Sequence, residues 1–308
     1  MLKNHRVEMV EVGPRDGLQN EAAIVSTADK LELVRRAIDY GVRRIEVTSF
    51  VNPKKVPQLA DAEELVAMLP ARDDVTYIGL VLNRRGAERA IATGRIDELG
   101  AVCVTSDSFG IRNQGQNSGE SLGAAMEIVA LAKAAGRSGQ ITIATAFGCP
   151  FEGEIAIERV VEMAKRAADS GPREIALADT IGVGVPAQVA EMVGRVRQAV
   201  DGLPVRVHFH NTRGSGLANV WAAVNEGAAT VDASLGGLGG CPFAPGAAGN
   251  VPTEDVVYLL ERCGVATGLE LSGAVAAATW LAGVMDRTLP AMVSRAPAFP
   301  PASGGAIS

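Results

Sequence analysis

The sequence predicts an α/β protein, a (β/α)8 or TIM barrel with an extra C-terminal helix, and three observations carry this prediction. Short apolar or β-branched segments alternate strictly with helical segments through eight repeats, which is the pattern of this barrel. The segment at residues 75–82 is almost unbroken in its apolar character, as expected for a strand covered on both faces. The glycine-rich segment at 235–242 opens no helix directly and comes late in the chain, so the fingerprint of a dinucleotide-binding open sheet is missing.

The elements follow one another in a regular order. The first strand ends at Gly13-Pro14, and the first helix is capped by Ser26 or Thr27 and carries Leu31, Val34, Ala37 and Ile38 at helical spacing. Eight strands are predicted at residues 7–12, 44–50, 75–82, 99–105, 140–147, 174–178, 205–212 and 230–235. The later helices are predicted at residues 58–69, 85–93, 120–135, 155–170, 186–200, 216–226, 253–263 and 269–285.

This pattern predicts one catalytic domain over residues 1–288. Its barrel covers about 7–265, and its extra helix covers 269–285. Residues 289–308 are rich in proline, alanine and glycine and are predicted to form a tail.

Composition excludes several classes of partner. Apolar residues make up 47% and charged residues 21%, which is ample for a large core, and the net charge of −6 argues against a nucleic-acid partner. The uncharged helical segment at residues 271–285 has fifteen residues, whereas a membrane helix needs about 20. The four cysteines are widely spaced, and the N-terminus lacks the apolar core of a signal peptide, which together predict a cytoplasmic protein.

The strand that begins at Val205 holds two of the three histidines of the chain. Side chains two residues apart leave a strand on the same face, so His208 and His210 point the same way. Two neighbouring imidazoles can bind one metal ion, or they can form a hydrogen-bonded pair inside the barrel. Whether other residues at the same end of the barrel can also bind a metal decides between these interpretations.

Polar residues at other strand ends supply further ligands, because the chemistry of such barrels lies at the carboxyl ends of the strands. Asp16 with His208 and His210 makes a three-ligand set, and Asn250 can add an amide oxygen. Oxygen and nitrogen donors without a thiolate favour Mg²⁺ or Mn²⁺, with Zn²⁺ or Co²⁺ as alternatives.

The remaining candidates at this rim also have plainer interpretations. Arg15 is a candidate catalytic residue or an ion-pair partner of Asp16, and Glu46 is a catalytic candidate or a structural partner of Arg15. Cys241 is a candidate catalytic residue or an inert thiol in a glycine-rich loop. Three further polar side chains at strand ends are candidates for substrate binding: Gln19, Ser49 and Thr180.

Several motifs, in this order, resemble the 3-hydroxy-3-methylglutaryl-CoA lyase family. They are VGPRDGLQNE at 12–21, IEVTSFV at 45–51 with Pro53, ADTIGV at 178–183, His208-x-His210, and GLGGCPF at 237–243 leading to Gly249-Asn250. The resemblance runs from about residue 7 to 265.

The resemblance implies a metal-dependent TIM-barrel lyase that cleaves an acyl-CoA thioester to acetyl-CoA and acetoacetate or a related keto acid, with a role in leucine degradation. The resemblance also implies that a divalent cation is bound by Asp16, His208, His210 and Asn250. It further implies that Arg15 is catalytic and that Cys241 lies on a mobile loop over the site. It also suggests a homodimer or higher homo-oligomer.

The residue types agree with this chemistry. Breaking a carbon–carbon bond in a 3-hydroxyacyl thioester needs removal of the hydroxyl proton and stabilisation of negative charge on the departing enolate. A bound divalent cation acidifies the alcohol, and Arg15 can donate to the thioester oxygen. A histidine of the metal set, or Asp179 acting through a water molecule, is a candidate base, and Cys241 can assist protonation of the enolate carbon.

Two segments depart from the family pattern and leave the acyl group open: residues 210–214, and the loop at residues 106–117, which resembles the family's loop but carries fewer lysines. The family usually has HDTYG where this chain has HNTRG at 210–214, and Arg213 can bind another carboxylate or a CoA phosphate, or face outward. Arg112 and Asn113 are the best candidates for contacts to CoA phosphates. A citramalyl-CoA lyase, a carboligase of the isopropylmalate or homocitrate synthase kind, and a catalytically silent binding protein remain alternatives.

Overall fold

The computed structural model describes residues 6–241 and 244–299, and its core is a closed barrel of eight parallel strands in chain order. The (β/α)8 barrel predicted from the sequence is therefore confirmed. The barrel strands are β1 Glu8–Glu11, β2 Arg44–Ser49, β3 Thr76–Val81, β4 Glu98–Val104, β5 Ser138–Ala144, β6 Ile175–Asp179, β7 Val205–Phe209 and β8 Thr230–Ala233.

Helices separate the strands and cover the outside of the barrel. They are α1 Thr27–Asp39, α2 Ala62–Met68, α3 Arg84–Ala92, α4 Asp107–Gln114, α5 Ser118–Ala134, α6 Ile157–Ala168, α7 Pro186–Ala199, α8 Gly216–Asn225, α9 Thr253–Arg262 and α10 Leu271–Val284. Ser26 caps α1 by accepting a hydrogen bond from Asp29 N, as its position before the helix predicts. The helix predicted at 58–69 is divided into a 3₁₀ turn, Pro57–Leu59, and α2.

Several short elements escape prediction from the sequence, and three of them follow the strands β1, β4 and β8. The first is α4, whose cap is Ser106 and which ends at Gly115 in a left-handed conformation. The second is a tight π-helical turn at Gly13–Gly17, and the third is a two-stranded hairpin of β9 Gly240–Cys241 and β10 Ala244–Ala248. Each is too short to show a hydrophobic period of its own.

The barrel interior is unusually rich in charge for a fold in which branched apolar residues normally fill this space. Arg44 donates to Glu98 Oε1 at 2.6 Å and to Glu174 Oε1 at 2.7 Å, and these three side chains are buried. Thr230 Oγ1 donates to Glu174 Oε2 at 2.9 Å. Removing so many charges from water costs free energy that only close pairing offsets.

The segment after α10 packs back on the barrel. Leu289 and Ala291 are buried, and the main-chain N–H groups of Met292 and Val293 donate to the carboxylate of Asp255 in α9. The division into a domain at 1–288 and a tail at 289–308 stays a prediction. Among the described residues, every helix is too short or too polar to cross a membrane.

Candidate active site

A cavity of about 500 Å³ opens at the carboxyl ends of the barrel strands. Its charged and polar lining includes Arg15, Asp16, Gln19, Asn20, Glu46, Lys55, Arg112, Asn113, Thr180, Arg206, His208, His210 and Asp232. Its apolar lining includes Val51, Leu80, Leu82, Val102, Val104, Ala144 and Ala178. One cavity thus joins an apolar wall to a concentrated set of titratable groups.

The turn Gly13–Gly17 places Arg15 and Asp16 at the cavity. Pro14 is the second residue of the turn, and the N–H groups of Arg15, Asp16 and Gly17 all donate to the carbonyl of Val12. A Cβ on Gly17 would lie 2.8 Å from Ser234 Oγ and 3.2 Å from Leu238 O, so glycine lets the turn pack closely against the loop after β8. Single-turn π-helices are frequent at functional sites.

The end of β7 carries the histidine pair, and a returning segment brings Asn250 beside it. His208 lies on β7, and His210 follows the strand and forms a bridge with Asn250. Val251 N donates to Phe209 O at 3.1 Å, which joins this segment to β7. The two imidazole rings lie on one face, as predicted, with their centroids 5.2 Å apart.

Asp16, His208 and His210 form a cluster that fits a divalent cation. The Nε2 atoms of both histidines lie 3.8 Å from Asp16 Oδ2, and one donor atom from each residue lies within 4.8 Å of the others. Ligand atoms about 2.1 Å from one ion lie at most about 4.2 Å apart, so the two separations of 3.8 Å are compatible with one shared ion. Asn250 lies beside this cluster, where its Nδ2 donates to Asp16 Oδ2 at 2.9 Å, and its role as a fourth ligand through the amide oxygen stays a prediction.

Charge keeps Asp16 ionised. Burial alone would raise the pKa of Asp16, but Arg15 and the two histidines hold this pKa well below its usual value. Arg15 bridges two carboxylates, with Nη1 donating to Asp16 and Nε donating to Glu46. Glu46 on β2 is therefore a direct partner of Arg15, as one of the two interpretations from the sequence has it.

Asp232 and Arg206 are site residues that sequence reasoning missed. Asp232 Oδ2 lies 3.1 Å from His208 Nδ1, and Asp232 Oδ1 accepts from Arg206 Nε at 2.5 Å. Burial alone would raise the pKa of Asp232, but Arg206 and His208 lower it. The signal was present in the alternation of polar residues: Arg206, His208 and His210 share one face of β7, and Asp232 is central in β8.

Glu11 is a third residue that sequence reasoning missed. Its Oε1 accepts from Gly13 N and Leu235 N, and its Oε2 accepts from the hydroxyls of Tyr40 and Thr253. Burial is the largest cause of the raised pKa of Glu11. This carboxylate connects the turn that carries Arg15 and Asp16 to the loop after β8.

The remaining predicted residues divide into three groups. Gln19, Thr180, Arg112 and Asn113 line the cavity, so the structure brings them to the site. Ser49 and Asp179 are not among its lining residues in the described part of the chain. The backbone of Cys241 belongs to β9, but its side chain lies outside the described structure, and its catalytic role stays a prediction.

Asp179 is held by the loop that follows it. Its Oδ1 accepts from Val183 N at 3.0 Å and its Oδ2 accepts from Gly184 N at 2.8 Å. Burial is the main cause of the raised pKa of Asp179. A role as the base therefore requires water between this carboxylate and the cavity.

The two residues that depart from the family pattern in the 210–214 segment serve local structure. Arg213 Nη1 donates to the carbonyls of Ile181 at 2.9 Å and Gly182 at 3.1 Å, so Arg213 braces the loop after β6. Asn211 Oδ1 accepts from Gly216 N at 3.0 Å at the start of α8. An amide oxygen makes this contact as well as a carboxylate does.

Comparison with known proteins agrees with this geometry. The HMGL-like family model matches residues 6–280. The chain is 41% identical over 305 residues to the (R)-citramalyl-CoA lyase of Chloroflexus aurantiacus, covering 96% of each sequence. It is 38% identical to the hydroxymethylglutaryl-CoA lyase YngG of Bacillus subtilis, covering 92% of this chain and 95% of the relative.

Among solved structures, an HMG-CoA lyase from Acinetobacter baumannii, in complex with coenzyme A and 3-methylmalate, superposes with a TM-score of 0.91. It is 37% identical in sequence, and 98% of each chain is covered. A family match across most of the chain, relatives at about 40% identity and a shared barrel lead to one conclusion: the chain belongs to the HMGL-like family and is a lyase.

Proposed function

We propose that this protein is a divalent-metal-dependent lyase that cleaves a carbon–carbon bond in a 3-hydroxy-3-methylglutaryl-CoA type thioester, releasing acetyl-CoA and a keto acid. The observation that carries the proposal is the cluster of Asp16, His208 and His210 beside Arg15 in one cavity. Arg15 and Asp16 lie near the start of the chain, and the histidines lie about two thirds of the way along it. They meet because β1 pairs with β8 and closes the barrel.

Asp16, His208 and His210 would hold the cation, with Asn250 beside Asp16. The donor set of one carboxylate oxygen and two imidazole nitrogens suits Mg²⁺ or Mn²⁺ and also accepts Zn²⁺ or Co²⁺. When bound, such a cation supplies Lewis-acid polarisation of the oxygens of the substrate. A cavity that continues from this cluster leaves room for a substrate oxygen next to it.

Arg15 is the group that can stabilise the departing enolate. Its Nε and Nη1 engage Glu46 and Asp16, and arginine has five N–H donors in a planar fork. Further donors thus remain for the thioester oxygen as it gains negative charge. The two carboxylates fix the guanidinium before the substrate arrives, which is how preorganised electrostatic stabilisation works.

The rim of the cavity suits the CoA portion of a substrate. Arg112 lies over the ring of Phe151, with 4.2 Å between the guanidinium carbon and the ring centroid, and Asn113 and Lys55 line the same cavity. Two cations and an amide are suitable partners for phosphate oxygens. The structurally similar lyase from Acinetobacter baumannii is in complex with coenzyme A, which supports a CoA ester as the substrate.

A second candidate substrate, citramalyl-CoA, is favoured by a specific observation. The relative that is 41% identical over 305 residues is an (R)-citramalyl-CoA lyase. Both substrates present a tertiary hydroxyl and a carboxylate to the cavity and both release acetyl-CoA. They differ in the second product, which is acetoacetate from one substrate and pyruvate from the other.

The test is an assay of the purified protein with Mn²⁺ and a panel of 3-hydroxyacyl-CoA esters. We expect release of acetyl-CoA together with acetoacetate or pyruvate, and no release after treatment with EDTA. Condensation of acetyl-CoA with a 2-oxo acid, in place of cleavage, would establish the carboligase alternative. Binding of esters without turnover would establish a silent binding protein.

Two further predictions accompany the proposal. A homodimer or higher homo-oligomer is expected by analogy with the family, and a cytoplasmic location is expected from the cysteine pattern. Size-exclusion chromatography with light scattering tests the first prediction, and fractionation of cells that express the protein tests the second.

A further inference from the structure

Asp232 lies directly behind one of the two histidines of the candidate metal site. It is central in β8 and 5% exposed, and its Oδ2 lies 3.1 Å from His208 Nδ1. The opposite nitrogen of the same ring, Nε2, faces Asp16. The imidazole thus lies between two carboxylates, one on each side.

Arg206 fixes the other side of Asp232. Its Nε donates to Asp232 Oδ1 at 2.5 Å, and its Nη1 lies 3.4 Å from Glu174 Oε1. Arg206 and Glu174 are almost fully buried, so neither ion pair is shared with solvent. Asp232 therefore has one oxygen held by a cation and the other directed at His208.

We propose that Asp232 is a positioning residue that holds His208 with its proton on Nδ1, so that the lone pair of Nε2 is directed at the cation. This inference rests on the proposed function, because it assigns a purpose to His208 at the metal site. A carboxylate beyond a metal-bound histidine fixes the ring orientation and raises the basicity of the ligand nitrogen.

A purely structural role for Asp232, as the counter-ion of Arg206, is the competing interpretation. Glu174 already provides Arg206 with a second carboxylate. A counter-ion role also gives no reason for an oxygen 3.1 Å from His208 Nδ1. The two interpretations differ in the state of the His208 ring, which can be measured.

The first experiment measures the tautomer of His208 in protein that contains no metal. Side-chain ¹⁵N NMR of EDTA-treated protein is readable because the chain has three histidines, and a His208→Gln variant assigns the signal. We expect the Nδ1–H form of His208 in the wild type and a shift towards the Nε2–H form in Asp232→Asn. A wild-type His208 with its proton on Nε2 would overturn the inference whether or not the variant folds.

The second experiment is a calorimetric titration of the same EDTA-treated proteins with Mn²⁺. We expect Asp232→Asn to bind Mn²⁺ about 10–100-fold more weakly than the wild type. Asp255→Asn is the matched control, because Asp255 is also buried but its carboxylate accepts from main-chain N–H groups in another part of the barrel. Equal affinity in Asp232→Asn and the wild type would contradict the inference.

Failure of the proposed function can be distinguished from failure of the inference about Asp232. A wild type that binds no Mn²⁺ would refute the metal site, and the inference would then be decided by the tautomer alone. The His208 Nδ1–H form would still support the positioning by Asp232, and the Nε2–H form would overturn it.

Discussion

Arg15 has two roles in the proposed site: it neutralises neighbouring carboxylates, and it is the proposed donor to the enolate oxygen. Its guanidinium is held between Asp16 and Glu46, and both carboxylates are largely buried. Because the guanidinium neutralises Asp16 in the absence of a cation, losing Arg15 removes a competitor for the Asp16 carboxylate. It also removes the donor proposed for the enolate oxygen.

We therefore predict that Arg15→Ala lowers kcat by about 10²–10³-fold or more while Mn²⁺ binding is retained. Arg15→Lys should recover little of the activity, because an ammonium group cannot bridge Asp16 and Glu46 and also donate to the substrate. Steady-state kinetics and Mn²⁺ titration of both variants check this. A kcat near that of the wild type in Arg15→Ala would exclude Arg15 from the mechanism.

Glu254 gives a prediction about stability and pH. It is buried at the start of α9, and its Oε2 accepts from Gly236 N at 3.0 Å. Burial is the main cause that raises the pKa of Glu254 from 4.5 to about 7, and neighbouring Asp255 raises it further. The folded state therefore keeps a proton that the unfolded chain has already released.

It follows that the wild type loses stability as the pH rises from about 4.5 to about 7. We predict that Glu254→Gln removes much of this loss, on the order of 3 kcal/mol at pH values above both pKa values. Urea unfolding at pH 5 and pH 8 measures it. The same difference between the two pH values in variant and wild type would show that Glu254 does not titrate in this way.

At the scale of elements, the site depends on two loops that pack closely. The loop after β8 passes the turn Gly13–Gly17, and a Cβ on Gly239 would lie 2.8 Å from Asn250 Nδ2 and 3.3 Å from Gly17 Cα. Gly239 also has a φ of 114°, which side chains rarely adopt. Gly240, the next residue, has nothing within 4 Å of such a Cβ.

Gly239→Ala is therefore predicted to displace Asn250 from Asp16, to weaken Mn²⁺ binding, and to destabilise the protein by about 1–3 kcal/mol. Gly240→Ala is the matched control in the same loop and should change neither property by a measurable amount. Mn²⁺ titration and thermal unfolding of the pair test this prediction. Equal effects of the two substitutions would show that the close packing at Gly239 does not matter.

The elements could be predicted from the sequence where each has its own local period. The alternation of strand and helix is visible in the chain, so the barrel and its extra helix were predicted, with errors of a few residues at their ends. Helix α4 was missed because its residues show little segregation of apolar side chains. The turn at Gly13–Gly17 is stabilised by partners from distant parts of the chain, such as Ser234, which a local pattern does not reveal.

At the scale of the whole molecule, paired charges fill part of the barrel. Arg44 is 1% exposed and contacts Glu8, Glu98 and Glu174. Arg206 continues this chain of contacts from Glu174 towards the histidines. One connected set of buried charges therefore runs through the barrel interior from Arg44 to the candidate metal site.

We predict that Arg44→Met destabilises the fold by about 3–5 kcal/mol, because Glu98 and Glu174 lose a buried counter-ion. Arg84→Ala is the control: Arg84 pairs with Glu127 at an exposed position, and its loss should cost about 1 kcal/mol or less. Chemical unfolding of both variants measures the difference. An equally small effect of Arg44→Met would show that the interior pairs contribute little to stability.

The candidate site could be predicted only in part, for a reason that concerns the whole molecule. Asp16 and the histidine pair stand at strand ends, where the barrel geometry predicts function, and the structure brings them together. Asp232 and Glu11 lie within strands, and their purpose depends on which side chain approaches from a neighbouring element. The sequence shows their polarity but not their partners.

The most direct test of the central claim is anomalous diffraction at the manganese edge from crystals of the protein grown with Mn²⁺. The account predicts one strong peak per chain, about 2.1 Å from His208 Nε2 and His210 Nε2 and in contact with the carboxylate of Asp16. A peak bound elsewhere, or none at this cluster under saturating Mn²⁺, would contradict it.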